Sequence, residues 1–536
     1  MASDYKSINH LPFIMKKTLL TLLLAPMLAA AQNGAFDTSF AQNGRKSLYV
    51  QEEMTRSNRI AVLTDGSVIT AGYSYSADYN GGAFSGVFIN KHLENGATDT
   101  SFGTNGTVYY TNYAAANSLL SALKIQPDGK IILAGGISGQ AEVRRLNADG
   151  SPDTTFGNNG IVSITGLNYV GAMSLAPNGK IVAVGQYWNG EINVYQMHRY
   201  NADGSVDTTF GNNGMVHANV TSYKFDLASD VVVQPDNKIV VAGRSYLTLE
   251  NAVVSRFNQD GSPDTGFADN GVAIVPLSED AGNGTFERVA LQPDGKIVAA
   301  GYAIGLFGTG GYNSTNPAVA RLTTNGSLDT TFGTNGKVIL ATNFNANDQF
   351  NALHLQSDGK ILAGGSASYP YPYMRSVFYL TRLTGTGVAD TTFGSDGKLL
   401  LEFTGSNGDY LNYLQDIDQM ADGRIVTTGF TGISTIDQMQ MIICRFKNDD
   451  TVGVKNAESL FVTVHPNPAT DMIHVSLPAG SCAVNIYNMQ GQLMLNQPSK
   501  NFSGSVSLNT LAAGTYILRL ESEGVTASQK IVKTDY

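Results

Sequence analysis

Residues 123–156 read LKIQPDGKIILAGGISGQAEVRRLNADGSPDTTF, and this stretch holds most of one unit of a repeat that runs through the chain. Its first half is a hairpin written in sequence. Apolar β-formers flank Asp128-Gly129 on both sides, and an Asp-Gly pair suits a tight turn with positive φ. Its second half is a third apolar run that ends in D-T-x-F. That phrase occurs seven times, with aspartates at Asp37, Asp99, Asp153, Asp207, Asp264, Asp329 and Asp390 and phenylalanines at Phe40, Phe102, Phe156, Phe210, Phe267, Phe332 and Phe393. Successive aspartates lie 54 to 65 residues apart. A hairpin follows each one. A second clear copy is LQPDGKIVAAG from Leu291, and weaker ones centre on Asp65-Gly66, Asn178-Gly179, Asp236-Asn237, Asp358-Gly359 and Asp422-Gly423. A fourth run comes after D-T-x-F, as in GTVYY from Gly106 and GKVIL from Gly336.

Each period therefore supplies four short strands: A after D-T-x-F, B and C in the hairpin, and D before the next D-T-x-F. A four-stranded blade cannot bury both faces alone, whereas blades packed around an axis bury each other and leave only short edges. The expectation is an all-β chain with a seven-bladed β-propeller of four-stranded antiparallel blades over residues 32–447. An open β-solenoid is the alternative, and its coils are usually shorter than this period. The recurring D-x-T-F-G-x-N-G, Q-P-D-G-K-I, A-G and N-x-D-G-S-x-D phrases resemble the delta-60 repeat β-propeller family over roughly residues 35–450. The resemblance implies the propeller fold and carries no settled biochemical activity.

The bulk numbers agree with export and solubility. A chain of 536 residues with 42% hydrophobic and 15% charged residues and 58 glycines can fold into more than one core rich in short strands and turns. A net charge of −10 argues against nucleic acid as a partner, because phosphate-backbone binding needs a basic surface. Cys444 and Cys482 fall in different expected domains and offer no zinc spacing.

From Met15 the chain reads MKKTLLTLLLAPMLAAAQNG. Two lysines, an apolar run and an A-x-A site make this a signal peptide, with cleavage expected between Ala31 and Gln32. Residues 1–31 are thus an upstream extension and signal peptide. No later stretch reaches the length of a transmembrane helix.

After residue 447 a polar linker, 448–458, leads to a small C-terminal domain, 459–536, whose alternating strands suggest an Ig-like β-sandwich. Its phrases Pro466-Asn467-Pro468, Ile486-Tyr487-Asn488 through Gly491, Leu511-Ala512-Ala513-Gly514-Thr515-Tyr516 and Lys530-Ile531-Val532-Lys533 resemble the type A sorting domain of the type IX secretion system, the export route of Bacteroidetes. His465 stands where an aromatic often precedes P-N-P. The resemblance implies the secretion machinery as partner, and a secreted or outer-membrane surface location. The other reading of this domain is an attached binding module.

Three patterns are candidates for function. A basic residue stands in strand D of every repeat (Lys91, Arg145, Arg199, Arg256, Arg321, Arg382 and Arg445), eight residues before the aspartate wherever a D-T-x-F follows. These are either a ring of ligand-binding charges or turn-stabilising ties between blades. The segment N-x-D-G-S-x-D, as at Asn201, Asp203, Ser205 and Asp207, places oxygens as in the first part of a calcium loop, but Asn and Asp also make turns by bonding their own backbone. No cofactor is otherwise implied. Finally, up-and-down topology puts the D–A and B–C connections on one face and the variable A–B and C–D connections on the other. The C–D segments GYSYSADYNGGAFSG (72–86), QYWNG (186–190), YAIGLFGTGGYNSTNP (302–317) and SASYPYPYMRS (366–376) are rich in Tyr, Gly, Asn and Ser. Tyr75, Tyr79, Tyr187, Trp188, Phe307, Tyr312, Tyr371 and Tyr373 are the ligand-binding candidates, since loops on a rigid scaffold carry function and Tyr and Trp suit glycan or protein surfaces. They could equally pack beneath their own loops.

No HExxH, GxSxG or phosphate-binding loop occurs. A secreted or surface binding and adhesion protein is the favoured reading, and an exported hydrolase or lyase with a site near the propeller axis is the alternative.

Overall fold

The computed structural model describes residues 33–448 and 463–534. Within those ranges the segments 51–53, 76–83, 112–119, 138–139, 168, 189, 219–224, 247–249, 279–283, 306–313, 341–346, 370–374, 404–409, 434–438, 477–482, 489–491, 498–503 and 523–524 fall outside the description. The chain is all-β. Strand β1 (Arg45–Leu48) opens it. Blade one is β2 to β5 (Met54–Val62, Val68–Tyr75, Phe84–His92, Thr107–Thr111), and blade two is β6 to β9 (Leu120–Ile125, Ile131–Ile137, Gln140–Leu146, Ile161–Ser163). Blade three is β10 to β13 (Tyr169–Leu175, Ile181–Trp188, Asn193–Tyr200, Met215–Ala218), and blade four is β14 to β17 (Phe225–Val233, Ile239–Tyr246, Glu250–Phe257, Val272–Val275). Blade five is β18 to β21 (Gly284–Leu291, Ile297–Gly305, Ser314–Leu322, Lys337–Ile339), and blade six is β22 to β25 (Gln349–Leu355, Ile361–Ser368, Ser376–Leu383, Lys398–Leu401). The last blade is β26 to β28 (Tyr410–Gln419, Ile425–Ile433, Met439–Phe446), completed by β1.

Each blade runs B–C–D–A from the axis outward, and a single parallel bridge, Asn193 opposite Phe225, joins blades three and four into one sheet. The outer strand A is the one that follows the next D-T-x-F, so the sequence period straddles two blades. For the same reason the chain's first strand A has no B, C and D before it. It pairs instead with β28, Arg45 opposite Cys444 and Leu48 opposite Met441, and so joins the two ends of the ring. Successive inner strands touch from β2 through β6, β10, β14, β18 and β22 to β26, and β26 touches β2 again.

One rim is stitched by a repeated bond. Gly103, Gly157, Gly211, Ala268, Gly333, Gly394 and Ala41 each donate a backbone N–H to a carbonyl in the adjacent blade, those of Asp149, Asp203, Asp260, Asn325, Thr386, Asn33 and Asn95. Glycine is required in the turn that receives this contact. Gly204 has φ +85°, and a Cβ there would stand 2.9 Å from the ring of Phe156 in the preceding blade.

The repeated basic residue completes the same joint. Arg145 Nε donates to Asp153 Oδ2 at 2.6 Å, its guanidinium lies 4.5 Å from the Phe156 ring, and its Nη1 donates to the Ala202 carbonyl of the next blade. Arg256 does the same with Asp264, Phe267 and the Thr324 carbonyl. Arg199, Arg321, Arg382 and Arg445 follow suit. In the Arg382 copy the next-blade acceptor is the side chain of Asn448, a buried residue at the start of the expected linker. A third member was not singled out in the sequence. The residue that follows the hairpin Gly or Asn, namely Lys130, Lys180, Lys238, Lys296, Lys360 or Arg424, also binds the D-T-x-F carboxylate. Its fixed place in Q-P-D-G-K is the signal that would have revealed it. The geometry is that of ties between blades.

These contacts set an acid limit to stability. Burial pushes Asp37 and Asp390 up. Bonds from Ser39 and Arg424 to Asp37, and from Thr392 and Lys360 to Asp390, outweigh it and hold each carboxyl at about 2, below the ordinary 3.8. Asp153, Asp207 and Asp329 are held lower still by the same kinds of bond. Depressed carboxyl pKa values contribute stability that is complete above the unfolded value and is lost as pH falls through the folded one. The propeller should therefore keep its denaturation midpoint from pH 7 down to about 4.5 and lose it steeply between about 4 and 2, which a series of urea titrations by circular dichroism would check.

The C-terminal region forms two sheets. Strands β29 (Thr463–His465), β30 (Met472–Ser476) and β33 (Gly504–Ser507) make one, and β31 (Ala483–Asn488), β32 (Leu493–Gln497), β34 (Gly514–Ser522) and β35 (Val525–Lys533) the other. Val464, Ile473, Val475 and Val506 from the first meet Val484, Ile486, Leu518 and Ile531 from the second in one core.

Candidate functional site

Two places in the propeller are free of the ties just described: the rim that carries the C–D connections, and the axis. The register places both ends as expected. Ile181 pairs with Leu175 on one side and Tyr200 on the other, so the B–C and D–A turns share a rim, while Trp188 opposite Asn193 marks the C–D end.

The strands reach further into the C–D segments than the sequence suggested. Tyr75 ends β3, and Tyr187 and Trp188 lie in β11 opposite Val194 and Asn193. The β-forming aromatics extend the pairing before the turn. Tyr187 is half-buried and packs on His217 with ring centroids 4.6 Å apart, and Trp188 is 45% exposed. Tyr79, Phe307, Tyr312, Tyr371 and Tyr373 lie outside the described residues, as does the Ala31-Gln32 junction. Sequence inspection passed over Tyr246, the eighth residue of strand C in blade four, as Trp188 is in blade three and Tyr75 in blade one. Tyr246 is 43% exposed. Its position within the repeat, and not a Tyr-rich loop, was the signal.

The axis holds a cavity of about 610 Å³ lined by the inner strands of all seven blades. Every inner strand carries a β-bulge at the equivalent place, with Asn58, Ser121, Gly171, Ser229, Glu287, Asn351 and Gln415 as the extra residue. The Gly of the repeated A-G phrase makes room for it: a Cβ on Gly301 would stand 2.1 Å from the Thr285 carbonyl oxygen. A bulge reverses which side chains face which way. In six of the seven blades the residue just after it lines the cavity, and Arg59, Ala122, Ala172, Asp230, Arg288 and Asp416 form a ring there.

The carboxylates here cap the inner sheet edges, whose backbone groups have no strand partner. Asp416 accepts from Ile60 N of the next blade at 3.0 Å and from Ile417 N at 3.0 Å. Asp230 repeats this with Val289 N and Val231 N, both at 2.9 Å. Asp418 accepts from Val62 N and Gln419 N, both at 2.8 Å. His354 Nδ1 lies 3.7 Å from Asp418 Oδ1. Burial pushes Asp418 up and His354 down. Among the described residues no three His, Cys, Asp or Glu side chains gather as a metal set. In the N-x-D-G-S-x-D turns Asp203 Oδ1 accepts from Ser205 N and Oγ, at 2.9 and 2.7 Å.

In the C-terminal region three of the sorting phrases meet along β35. Asn467 donates Nδ2 to the Lys530 carbonyl and accepts from Val532 N, at 2.8 and 2.9 Å, so its side-chain amide pairs with the strand edge. Gly514 lies opposite Lys533, and Tyr516 opposite Ile531. Tyr516 is buried with its hydroxyl on Ala512 O. Pro466, Pro468 and Lys530 are exposed and Lys533 is buried. Gly491 lies outside the described residues.

A family model described as a domain of unknown function (DUF5122) beta-propeller matches residues 126–156, 176–210, 234–267, 292–332 and 356–393. A second, described as a secretion system C-terminal sorting domain, matches residues 463–534. No curated protein matches the chain. Solved structures similar to it include the polysaccharide lyase Uly1, at 10% identity and TM-score 0.41 over 80% of this chain and 94% of that one. Drosophila Plexin A in complex with Semaphorin 1b gives 9% and 0.37 over 77% and 88%. Sqt1 from Chaetomium thermophilum gives 13% and 0.34 over 74% and 97%. None of these likenesses bears on what this chain binds.

Proposed function

We propose that this chain, which joins DUF5122 β-propeller repeats to a secretion system C-terminal sorting domain and is exported through the type IX route to the surface or beyond, is a binding module that takes a glycan or protein ligand on its C–D rim. A signal peptide ending at Ala31 provides the first export step. One observation carries the reading: Trp188 and Tyr246 stand exposed at equivalent strand ends of adjacent blades, on the rim opposite the stitched one. Aromatic faces with a polar tip are suited to stacking on sugars and to protein anchors. Tyr75, Tyr79, Tyr187, Phe307, Tyr312, Tyr371 and Tyr373 belong to the same rim in this reading.

The test is a glycan array and a protein-ligand screen with the purified mature chain. Trp188→Ala should weaken the captured ligand about tenfold or more, as removal of an exposed aromatic anchor does, with an unchanged melting temperature. A ligand whose affinity is the same after Trp188→Ala and Tyr246→Ala would sink the rim assignment. The axial hydrolase or lyase reading draws on the His354–Asp418 pair, since a half-buried carboxyl with raised pKa suits a general acid. A hydrolase and lyase screen on the same protein addresses it.

A further inference from the structure

Arg59 and Arg288 stand at the same level of the axial ring, in blades one and five, and both line the cavity. Arg59 donates Nε to the Ser121 carbonyl at 2.6 Å and Nη1 to the Asn58 carbonyl at 2.8 Å. Arg288 donates Nη1 to its neighbour's carbonyl, that of Glu287, at 2.7 Å. Among the described residues neither guanidinium forms an ion pair. The ring carboxylates nearest to them, Asp416 and Asp230, have both oxygens engaged by backbone N–H groups. The two guanidinium groups are close enough to act on one another. Burial, with the repulsion of Arg288, outweighs the attraction of Asp416, Asp230 and Glu287 and lowers the Arg59 pKa to about 10. With carboxylates nearby but none in direct contact, these half-buried guanidinium groups keep hydrogen-bonding capacity that a bound anion could use. Both side chains line the cavity of about 610 Å³, a space large enough for a monosaccharide-sized group. Guanidinium forks match planar or tetrahedral oxyanions in geometry.

We propose that the axial cavity is a binding site for an oxyanion-bearing ligand, a carboxylate, sulfate or phosphate group held between Arg59 and Arg288. The site is distinct from the aromatic rim and does not depend on it. Asp230 and Asp416 keep the ring close to neutral, so the group accepted carries a single local charge centre and not a polyanionic backbone. Arg288 is the cleaner residue to remove, because its visible bond is to its own strand, whereas Arg59 also links blade one to blade two.

The experiment is isothermal titration calorimetry of the full mature chain with glucuronate, sulfate and inorganic phosphate, and with glucose as the neutral control, at low ionic strength. At least one oxyanion should bind at one per chain, and glucose should not. Which oxyanion binds identifies the source of the group. Arg288→Gln should weaken binding about tenfold or more, as loss of a charge-assisted fork does, with an unchanged melting temperature, and Trp188→Ala should leave binding alone. If Arg288→Gln fails to fold, Arg288→Lys keeps the charge and loses the fork, and should weaken binding by a smaller factor. The proposal is overturned if none of the three oxyanions binds the folded protein, or if the affinity survives Arg288→Gln in a folded variant. Loss of rim binding in Trp188→Ala with the oxyanion still bound separates this site from the rim.

Discussion

Asp390→Ala is expected to destabilise the propeller by about 3–5 kcal/mol, the range for breaking a buried ion pair from one side. Arg382 is fully buried, and its Nε meets Asp390 Oδ2 at 2.8 Å while Lys360 reaches the same oxygen at 3.1 Å. Removal of the carboxylate strands the guanidinium between two blades. Thr392 N and Oγ1 also lose their acceptor, Asp390 Oδ1. The comparison is internal to the repeat. Asp149→Ala removes an exposed turn residue whose carboxylate holds only Ser151, and should change stability by about 1 kcal/mol or less. A second comparison separates a stranded charge from lost packing: Asp390→Ala combined with Arg382→Met should cost less than Asp390→Ala alone. Urea midpoints of the three variants measure this. Equal losses for Asp149→Ala and Asp390→Ala would remove the ties from their proposed place in the stability of the ring.

Phe40→Ala should cost a further about 3–5 kcal/mol, the usual range for emptying a fully buried aromatic site, and should do so at one joint of the ring in particular. Phe40 has no exposed surface, and the Arg445 guanidinium lies 4.8 Å from its ring. Arg445 in turn binds Asp37 and donates to the Glu94 carbonyl in blade one. This joint is where residues more than 400 positions apart in the chain are held together. The equivalent Phe210→Ala acts within continuous chain, where the neighbouring blades remain tethered by sequence. Hydrogen exchange should therefore show Phe40→Ala exposing β1 and β28 ahead of the other strands, while Phe210→Ala shows no such localisation. Uniform exchange in both variants would mean that the closure is no weaker than any other joint.

Much of this architecture was legible in the chain. Asp128-Gly129 and its counterparts bond locally, so the hairpins sit where the turn residues stand. The D-T-x-F carboxylate likewise bonds two residues ahead, as Asp153 does with Thr155 N and Oγ1. Strand number, turn position and the division into a monotonous rim and a variable one follow from contacts a few residues long repeated at a fixed period. The dual role of Arg145 was half legible. Its spacing of eight from Asp153 announced a pair, but the Ala202 carbonyl lies in the next period, where sequence distance says nothing about separation in space.

The axis was decided by tertiary structure alone. Arg59, Asp230, Arg288 and Asp416 look like ordinary members of apolar strands in which neighbours alternate between faces. One extra residue per inner strand changes that alternation, and the ring exists only because seven bulges fall at one height around a closed circle. The pairing of β1 with β28 has the same origin. A local turn holds its own energy within a few bonds, whereas a ring closes only when the accumulated rotation of all its blades brings the first strand beside the last, a property of their packing together and of no single segment.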